Sequence, residues 1–298
     1  METIINNSVA SLPFFSVVVP FKGNLEQVNN LIIHLERQKY PATHVEVILI
    51  DNGSDDPSDY PKSEKINLSF LSEQRYADSP YSARNRGIEA AAGDVVVFTD
   101  ANSYPDSGWL QEAANMLIHS KCDLLAGAVK FSFGEKVTSA KIADSIISIQ
   151  MKRSVLERKV AYTANLFVKK EVFSKTGLFE EGARSGGDVR FCKKADSEGY
   201  SITYCEKAVV FKEARSYGAL FNKKIRTGRG YYYTWITEKR AGEKWYSNFL
   251  RVLKPQGFFA LKAHDRITLS NIFLVWIIIY TARIAEQISF IREYYRNR

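Results

Sequence analysis

The residues of this chain that are best suited to chemistry follow an apolar segment near residue 100. Val95–Thr99 is a continuous run of valine, phenylalanine and threonine, and Asp100 and Asn102 come just after it. Such a run is typical of an interior strand of a parallel sheet, and ligands of open α/β sheets bind beyond the carboxyl ends of these strands. Oxygen-bearing side chains at that edge can hold a sugar hydroxyl, a ribose or a divalent cation. The segment therefore predicts a site for nucleotide chemistry.

A second carboxylate, Asp51, ends another apolar segment. Residues 15–20 and 45–51 are short runs rich in β-branched side chains, and residues 24–38 between them repeat apolar side chains with the period of a helix. This pattern predicts a strand–helix–strand unit, whose right-handed crossover puts both strands in one parallel sheet. We expect Asp51 and Asp100 to meet at the same edge of that sheet.

Strands and helices continue to alternate through the first two thirds of the chain. Hydrophobic periodicity predicts strands over 66–71, 95–99, 124–129 and 165–168, and helices over 80–92, 109–119 and 139–158. Pro80 suits the first turn of its helix, with Asp78 or Ser79 as the cap. The predicted fold class is α/β, with a Rossmann-like, mostly parallel sheet flanked by helices.

Composition excludes several classes of protein. The 298 residues are 45% hydrophobic and 25% charged, which is typical of a folded chain and not of a disordered one. Cys122, Cys192 and Cys205 lack metal-ligand spacing and leave an odd thiol, which favours a reducing compartment. Residues 1–13 lack the features of an export signal. No Gly-x-Gly-x-x-Gly follows a predicted strand, which argues against a dinucleotide-dependent oxidoreductase.

Positive charge is concentrated in the last third of the chain. Residues 1–211 contain 24 Lys/Arg and 27 Asp/Glu, a balance of −3, whereas residues 212–298 contain 17 and 6, a balance of +11. This asymmetry predicts an anionic partner for the second region, namely anionic lipid, a phosphate-bearing substrate or nucleic acid. Residues 217–239 are predicted to form a basic helix in it.

The most apolar stretch of the chain, residues 272–282, also lies in this region. A helix from 266 to 283 would be about 25 Å long, which is shorter than the ~30 Å of a bilayer core. We expect an amphipathic segment in the membrane interface, with its Lys and Arg side chains reaching water. A buried C-terminal core helix and a true membrane span are the alternatives. The chain is thus predicted to divide into residues 1–211 and a basic, helical, membrane-associated region, 212–298.

Several segments between residues 15 and 229 together resemble the family 2 glycosyltransferases, inverting enzymes with a GT-A fold and nucleotide-sugar donors. The matching segments are Val17-Val18-Val19-Pro20-Phe21-Lys22, Val47-Ile48-Leu49-Ile50-Asp51-Asn52-Gly53-Ser54, Ala83-Arg84-Asn85-Arg86-Gly87-Ile88, Phe98-Thr99-Asp100-Ala101-Asn102, Ala164-Asn165-Leu166-Phe167-Val168 and Ser185-Gly186-Gly187-Asp188-Val189-Arg190-Phe191. The resemblance implies that residues 1–211 form a GT-A domain, which binds the nucleotide sugar and carries the catalytic residue.

The resemblance also implies a set of donor-binding residues. Asp51 would bind the base of the nucleotide in a pocket with Pro20 and Phe21 as its walls, Arg84 would steady the nucleotide or its phosphates, and Asp100 would hold the ribose. The full nucleotide-sugar site implied in this way is Pro20, Phe21, Asp51, Asn52, Ser54, Arg84, Asp100, Ala101 and Asn102.

Asp188 falls where the family has its general base. Such a carboxylate takes the proton of the acceptor hydroxyl while that oxygen attacks the anomeric carbon, opposite the leaving diphosphate. The residue also suits the N-terminal cap of a helix over 189–198, so a purely structural role is the alternative.

Two positions depart from the family pattern. Asn102 stands where the family usually has a metal-binding Asp, and Lys212 stands where related enzymes often have a His. An amide lacks the charge that makes carboxylates strong ligands for hard cations, and a protonated Lys has no lone pair for a metal. We therefore expect a Mn²⁺ or Mg²⁺ ion to be weakly held or dispensable, with Lys212 and Arg226 or Arg229 neutralising the leaving diphosphate.

The resulting hypothesis is an inverting glycosyltransferase that uses a UDP-sugar, the commonest donor of this family. The acceptor would be a glycan or a lipid-linked glycan in polysaccharide or glycolipid synthesis, at the cytoplasmic face of the membrane. A nucleotidyltransferase would need a Gly-rich phosphate loop after the first strand, which residues 20–24 do not form. A catalytically degenerate scaffold protein, or a nucleic-acid-binding one, would leave Asp51, Asp100 and Asp188 without a role, and we expect no nucleic-acid partner.

Overall fold

A computed structural model of the chain describes residues 11–54, 60–238, 261 and 265–298. Its strands are β1 (Phe15–Phe21), β2 (Val45–Asp51), β3 (Asn67–Ser72), β4 (Val95–Thr99), β5 (Ser103–Pro105), β6 (Leu124–Ser132), β7 (Asn165–Lys169) and β8 (Ile202–Glu213). Its helices are α1 (Leu25–Glu36), a 3₁₀ turn (Ala42–His44), α2 (Pro80–Ala90), α3 (Trp109–His119), α4 (Ser139–Ile147), α5 (Met151–Arg158), α6 (Val172–Thr176), α7 (Gly187–Ser197), α8 (Tyr217–Glu238) and α9 (Ile272–Arg296).

The strands form one eight-stranded sheet in the order β3-β2-β1-β4-β7-β6-β8-β5. The first four strands in that order are parallel to one another, and β7 and β5 run antiparallel to their neighbours. Phe21 is paired with Asp51 at the ends of β1 and β2, so these strands end level at one edge. This confirms the predicted α/β class with a mostly parallel sheet, including the strand–helix–strand unit that opens it.

Two apolar cores lie on the two faces of the sheet. Alternate residues of β1 point to opposite faces, so Val17 and Val19 belong to one core and Val18 to the other. Trp109 of α3 is fully buried in the first core and donates through Nε1 to Oδ1 of Asn165, at 2.8 Å. Asn165 Nδ2 in turn donates to the carbonyls of Ala128 and Ala208, at 2.8 and 2.9 Å. These hydrogen bonds tie β6, β7 and the irregular centre of β8 together behind the site.

Two predicted boundaries differ from the structure. The helix predicted over 139–158 is two helices, α4 and α5, because the backbone of Ser148 leaves the helical conformation (φ −90°, ψ −133°). Strands β5 and β8 have no counterpart among the predicted elements. The predicted domain boundary after residue 211 falls inside β8, so the sheet extends to Glu213.

The C-terminal helices α8 and α9 pack against each other and against α4. They approach closely at Gly228, where a Cβ atom would lie 2.2 Å from the carbonyl oxygen of Glu286. One side of α9 is buried, including Val275 and Ile279, whereas Phe273 and Leu274 are exposed. In the described part of this region, residues 217–238 and 272–296 are helical, as predicted, and part of α9 has the contacts of a core helix.

The length expected for the last helix is wrong. Helix α9 has 25 residues and is therefore about 37 Å long, which exceeds the ~30 Å of a bilayer core. In the described part of the chain it is the one helix with the length and hydropathy of a membrane span, and 44% of its most apolar window is buried in the protein. The core helix of a soluble protein can meet the same criteria.

Candidate active site

A cavity of about 600 Å³ opens at the carboxyl ends of β1, β2 and β4. Its floor comes from residues that end or follow these strands, and its walls come from α2, the first turn of α7, the junction of α4 with α5, and α8. The sequence-predicted residues that line it are Pro20, Phe21, Asn52, Arg84, Asp100, Ala101, Asn102, Asp188 and Arg226. Topology thus brings residues from distant parts of the chain to one sheet edge.

The cavity is strongly basic. Its acidic lining side chains are Asp100, Asp188 and Glu286, and its basic ones are Lys22, Arg84, Arg158, Arg184, Arg215, Lys223, Lys224 and Arg226. Such an excess of cations in a concave site attracts an anionic ligand. In the described part of the chain, Oδ1 of Asn52 and Nε of Arg84 are buried without a hydrogen-bond partner. Buried polar atoms are almost always paired, so these two cavity residues have capacity left for a ligand.

Asp100 is held between two cations. Arg84 Nη2 donates to its Oδ1 at 2.8 Å, and Lys212 Nζ donates to its Oδ2 at 2.7 Å. Burial raises the pKa of Asp100, but the positive charges of Lys212 and Arg84 outweigh it and lower the pKa to about 2. Asp100 is therefore a permanent anion that orients both cations.

Lys212 is almost fully buried behind the cavity and does not line it. Besides Asp100, its Nζ donates to Oδ1 of Asn102 at 2.6 Å and to Oγ of Ser103 at 3.3 Å. The ammonium thus has three oxygen partners that include both polar residues of the Asp100-Ala101-Asn102 segment. It occupies the position among these oxygens that a bound cation would need.

These residues do not fit a divalent metal. Both oxygens of Asp100 and the amide oxygen of Asn102 already accept from Arg84 or Lys212. Within residues 11–54, 60–238, 261 and 265–298, no group of three or more His, Cys, Asp or Glu side chains is arranged to hold a metal ion. A divalent ion here would have to displace a buried ammonium of the same sign.

Asp188 lies in the first turn of α7 and faces the cavity. Tyr81 OH donates to its Oδ1 at 3.0 Å, and the backbone N–H of Thr163 donates to its Oδ2 at 3.3 Å. The cap of α7 is Gly186, with φ +77°, so the predicted alternative of Asp188 as the capping residue does not describe this helix. Burial raises the pKa of Asp188, although Arg84 and the hydrogen bond from Tyr81 act in the opposite direction.

Asp51 is fully buried and does not line the cavity. Its Oδ1 accepts from the backbone N–H and the hydroxyl of Ser54, at 2.9 and 2.6 Å, and its Oδ2 accepts from Tyr60 OH at 2.9 Å. Ser54 Oγ also accepts from the backbone N–H of Gly23, at 2.7 Å. Asp51 and Ser54 therefore join the loops after β1 and β2, and the neighbouring Asn52 is the residue that reaches the cavity.

Arg226 and Arg229 of α8 line different cavities. Each residue turns an α-helix by about 100°, and the cavity face of α8 contains Lys223 and Thr227, with Arg226 at its border. Arg229 lines a groove between α8 and α9 that Arg292 also lines. Arg229 thus does not meet the predicted diphosphate site.

Sequence reasoning missed Tyr81, Ser148, Arg215 and Lys223, which all line the cavity. Tyr81 is one turn before Arg84 on α2, so helical spacing alone places the two on one face. Ser148 and Lys223 reach the cavity only because α4 ends at Ile147 and α8 packs across that end. No local pattern signals that contact.

The family model of glycosyl transferase family 2 matches residues 16–176 of the chain. Glycosyltransferase AglE of Haloferax volcanii is 30% identical over 289 residues, which are 93% of this chain and 95% of that protein. TarS of Staphylococcus aureus, a poly(ribitol-phosphate) beta-N-acetylglucosaminyltransferase, is 23% identical over 248 residues. That match covers 82% of this chain but only 38% of TarS.

Solved structures with the same fold include two with nucleotide sugars. Mannosyltransferase PcManGT from Pyrobaculum calidifontis, in complex with GDP-Man and Mn²⁺, has a TM-score of 0.64 at 16% identity, covering 95% of this chain and 88% of that one. TarS 1–349 in complex with UDP-GlcNAc has a TM-score of 0.53 at 17% identity, covering 95% and 91%. At these identities the likeness concerns the fold, and it confirms the expected GT-A-type arrangement.

Proposed function

Because the chain belongs to glycosyl transferase family 2, we propose that it transfers a glycosyl unit from a nucleoside diphosphate sugar to an acceptor hydroxyl with inversion. In this reaction the acceptor oxygen forms a bond to the anomeric carbon while the bond from that carbon to the diphosphate oxygen breaks. The hydroxyl proton passes to Asp188, and the nucleoside diphosphate leaves as an anion. One carboxylate is sufficient for such a displacement.

The observation that carries this proposal is the placement of Asp188 in the same cavity as Asp100 and Arg84. Burial raises the pKa of Asp188, and a base with a raised pKa is a better proton acceptor near neutral pH. Tyr81 and the backbone of Thr163 hold the carboxylate in one orientation. The side chain is thus oriented and exposed to the cavity, as a general base requires.

The donor is proposed to lie along the sheet edge. Pro20, Phe21 and Asn52 would enclose the nucleoside, with Asp51 and Ser54 holding the loops that carry them. Asp100 would bind the ribose with those parts of its carboxylate oxygens that do not contact Arg84 or Lys212. Arg84 would steady the phosphates through its Nε, which has no other hydrogen-bond partner. The nucleotides in the related structures, UDP-GlcNAc and GDP-Man, make uridine and guanosine diphosphate sugars the donors to test, with UDP-sugars favoured.

Lys212 is proposed to take the place of the divalent ion found in PcManGT. It neutralises Asp100 and contacts Asn102, as a metal between these side chains would. We expect chelated wild-type enzyme to keep its activity and Lys212→Ala to lose it, while Lys207→Ala, an exposed lysine of the same strand, has no effect. Loss of wild-type activity on chelation, with recovery only in Mn²⁺ or Mg²⁺, would contradict the proposal.

The acceptor is proposed to be a glycan or lipid-linked glycan at the cytoplasmic membrane face, with the enzyme attached peripherally or monotopically. Support comes from the balance of +11 in residues 212–298 and from exposed Leu269, Phe273 and Leu274 at the start of α9. Sedimentation with anionic vesicles but not with zwitterionic ones, reduced by Phe273→Ser, is the expected result. Equal recovery from both vesicle types would argue against an electrostatic membrane contact.

The main test is calorimetric titration with UDP, GDP, UDP-GlcNAc and GDP-Man, followed by donor hydrolysis, in which water replaces the acceptor. We expect the wild type to bind either the uridine or the guanosine nucleotides and to hydrolyse the corresponding sugar donor. Asp188→Asn should bind the same nucleotides but should no longer hydrolyse the donor. Asp196→Asn is the matched control, since Asp196 is on the same helix, pairs with exposed Lys159 and does not line the cavity. NMR of the first-formed sugar tests inversion. Absence of nucleotide binding by the wild type would overturn the proposed function.

A further inference from the structure

Another buried carboxylate, Asp144, lies in the last turn of α4 and has no exposed surface. Its Oδ2 accepts from the backbone N–H of Arg215 at 2.9 Å and from Nη1 of the same residue at 3.4 Å. The hydroxyl of Ser148 donates to its Oδ1. A buried carboxylate is stable only when it is paired and hydrogen-bonded, so Asp144 holds Arg215 and Ser148 in fixed positions.

Lys223 of α8 is attached to the same centre. Its Nζ donates to Oγ of Ser148 at 2.8 Å. Arg215, Ser148 and Lys223 all line the cavity that contains Asp100 and Asp188, whereas Asp144 does not. The break between α4 and α5 makes this contact possible, because Ser148 directly follows α4 and its backbone is not helical.

Both cations have hydrogen-bond donors left for a ligand. A guanidinium has five N–H donors and an ammonium has three. Within the described residues, the guanidinium of Arg215 donates only to Asp144, through Nη1, and Nζ of Lys223 donates only to Ser148. Burial and the positive charge of Arg215 lower the pKa of Lys223 to about 7, while Asp144 acts in the opposite direction. Arg215 and Lys223 thus share one carboxylate, Asp144, which contacts Arg215 directly and Lys223 through Ser148.

We propose that Arg215 and Lys223, positioned by Asp144 and Ser148, bind a phosphate group of a substrate. Two adjacent cations with free N–H donors match the charge and the oxygens of a phosphate. Asp144 is a positioning residue in this subsite, because it touches the cations and not the ligand. The inference rests on the proposed function, in which the phosphate has two possible sources: the diphosphate of the donor or a phosphate carried by the acceptor.

The experiment compares nucleotide affinities by calorimetry in the full-length protein. UDP and UMP, with GDP and GMP in parallel, are titrated into the wild type, Lys223→Gln, Lys223→Arg, Arg215→Gln and Asp144→Asn, with Lys207→Gln as an exposed control from β8. Inorganic phosphate is then titrated into each protein saturated with the diphosphate. Thermal unfolding identifies any variant that has lost its fold. Lys223→Gln, which leaves the ion pair between Asp144 and Arg215 in place, carries the test if Asp144→Asn or Arg215→Gln unfolds.

If the donor supplies the phosphate, Lys223→Gln and Arg215→Gln should each weaken the diphosphate about tenfold or more while changing the monophosphate little. Lys223→Arg should restore most of the loss, and Asp144→Asn should resemble Arg215→Gln. If the acceptor supplies the phosphate, the variants should bind the nucleotides as tightly as the wild type does. After saturation with the nucleoside diphosphate, the wild type should still bind inorganic phosphate, and the variants should not. Either pattern supports the subsite.

Unchanged affinities for the nucleotides and for phosphate in every folded variant would overturn the subsite and leave the proposed function standing. If the wild type binds no nucleotide, the proposed function is overturned. The subsite would then stand only if the wild type binds inorganic phosphate and Lys223→Gln abolishes that binding.

Discussion

Asp100 and Asp188 line the same cavity but have opposite electrostatic surroundings. Asp100, at the end of β4, is paired with Lys212 and Arg84, and these cations lower its pKa to about 2. Asp188, at the start of α7, accepts from a neutral tyrosine and from the backbone N–H groups of Thr163 and Val189, and burial raises its pKa. Two carboxylates with pKa values moved apart are suited to different tasks. Asp100 is therefore suited to carry a permanent charge in the cavity, and Asp188 is suited to the proton transfer proposed above.

The largest effect that follows from this difference is that of Asp188→Asn. An amide keeps the shape and the hydrogen bond from Tyr81 but accepts no proton, so kcat should fall by about 10²–10⁴. The donor KM should change by less than about threefold, because the residue is not proposed to bind the nucleotide. Steady-state kinetics would check both values. A large rise in KM with unchanged kcat would reverse the roles of the two carboxylates.

Asp100→Asn should have the opposite kinetic signature. It removes the anion between buried Lys212 and Arg84, so donor KM should rise about tenfold and unfolding free energy should fall by about 1–3 kcal/mol. The smaller change should be in kcat. Urea unfolding and steady-state kinetics measure the two effects, and Asp106→Asn is a suitable control since Asp106 follows β5 outside the cavity. Unchanged stability would show that the Asp100 ion pairs contribute little.

The two carboxylates should also separate in pH dependence. As pH falls through the raised pKa of Asp188, protonation removes the base, and kcat should fall about tenfold per pH unit. Asp100 stays ionised through that range, so its contribution to the donor KM should stay constant. Its lowered pKa gives stability that is present above its ordinary value and is lost as pH falls towards about 2. Asp188, with a raised pKa, should instead gain stability as it is protonated, and this gain should be absent from the unfolding curves of Asp188→Asn.

The smallest effect tests the hydrogen bond between Tyr81 and Asp188. This bond stabilises the carboxylate, so Tyr81→Phe should raise the pKa of Asp188 further and move the acidic limb of the kcat profile upwards by about 0.5–1 pH unit. At high pH kcat should be close to that of the wild type. Tyr40→Phe, which removes a hydroxyl bonded to the Pro13 carbonyl away from the cavity, controls for loss of a buried hydroxyl. If Tyr81→Phe leaves the acidic limb of the kcat profile in place, the hydroxyl of Tyr81 does not influence the pKa of Asp188.

Sequence periodicity predicted the elements that carry the floor of the site. The valine-rich run of β4 and the strand–helix–strand unit of β1, α1 and β2 have strong local patterns, because a buried parallel strand needs apolar residues on both faces. The break after α4 was not predictable in this way, since residues 139–158 keep a helical pattern across it. The sequence predicted that Lys212 stands at a position of the metal site, but the contacts of its ammonium with Asp100 and Asn102 depend on β8 pairing with β5.

The sequence alone determined the fold class and the sheet edge at which Asp100 and Asn102 lie, and it predicted Asp188 as the general base and Asn102 and Lys212 as departures from a metal site. These features depend on residue type and on neighbours along the chain. Only the tertiary structure decided that Asp51 turns away from the cavity, that Arg226 reaches it and Arg229 does not, and that Asp144 holds Arg215 and Lys223. Asp51 turns away because its carboxylate accepts hydrogen bonds from Ser54 and Tyr60. The contacts of Asp144 with Arg215 and of Ser148 with Lys223 join residues 71 and 75 positions apart, so packing between distant elements, and not local propensity, determines which of these side chains meet.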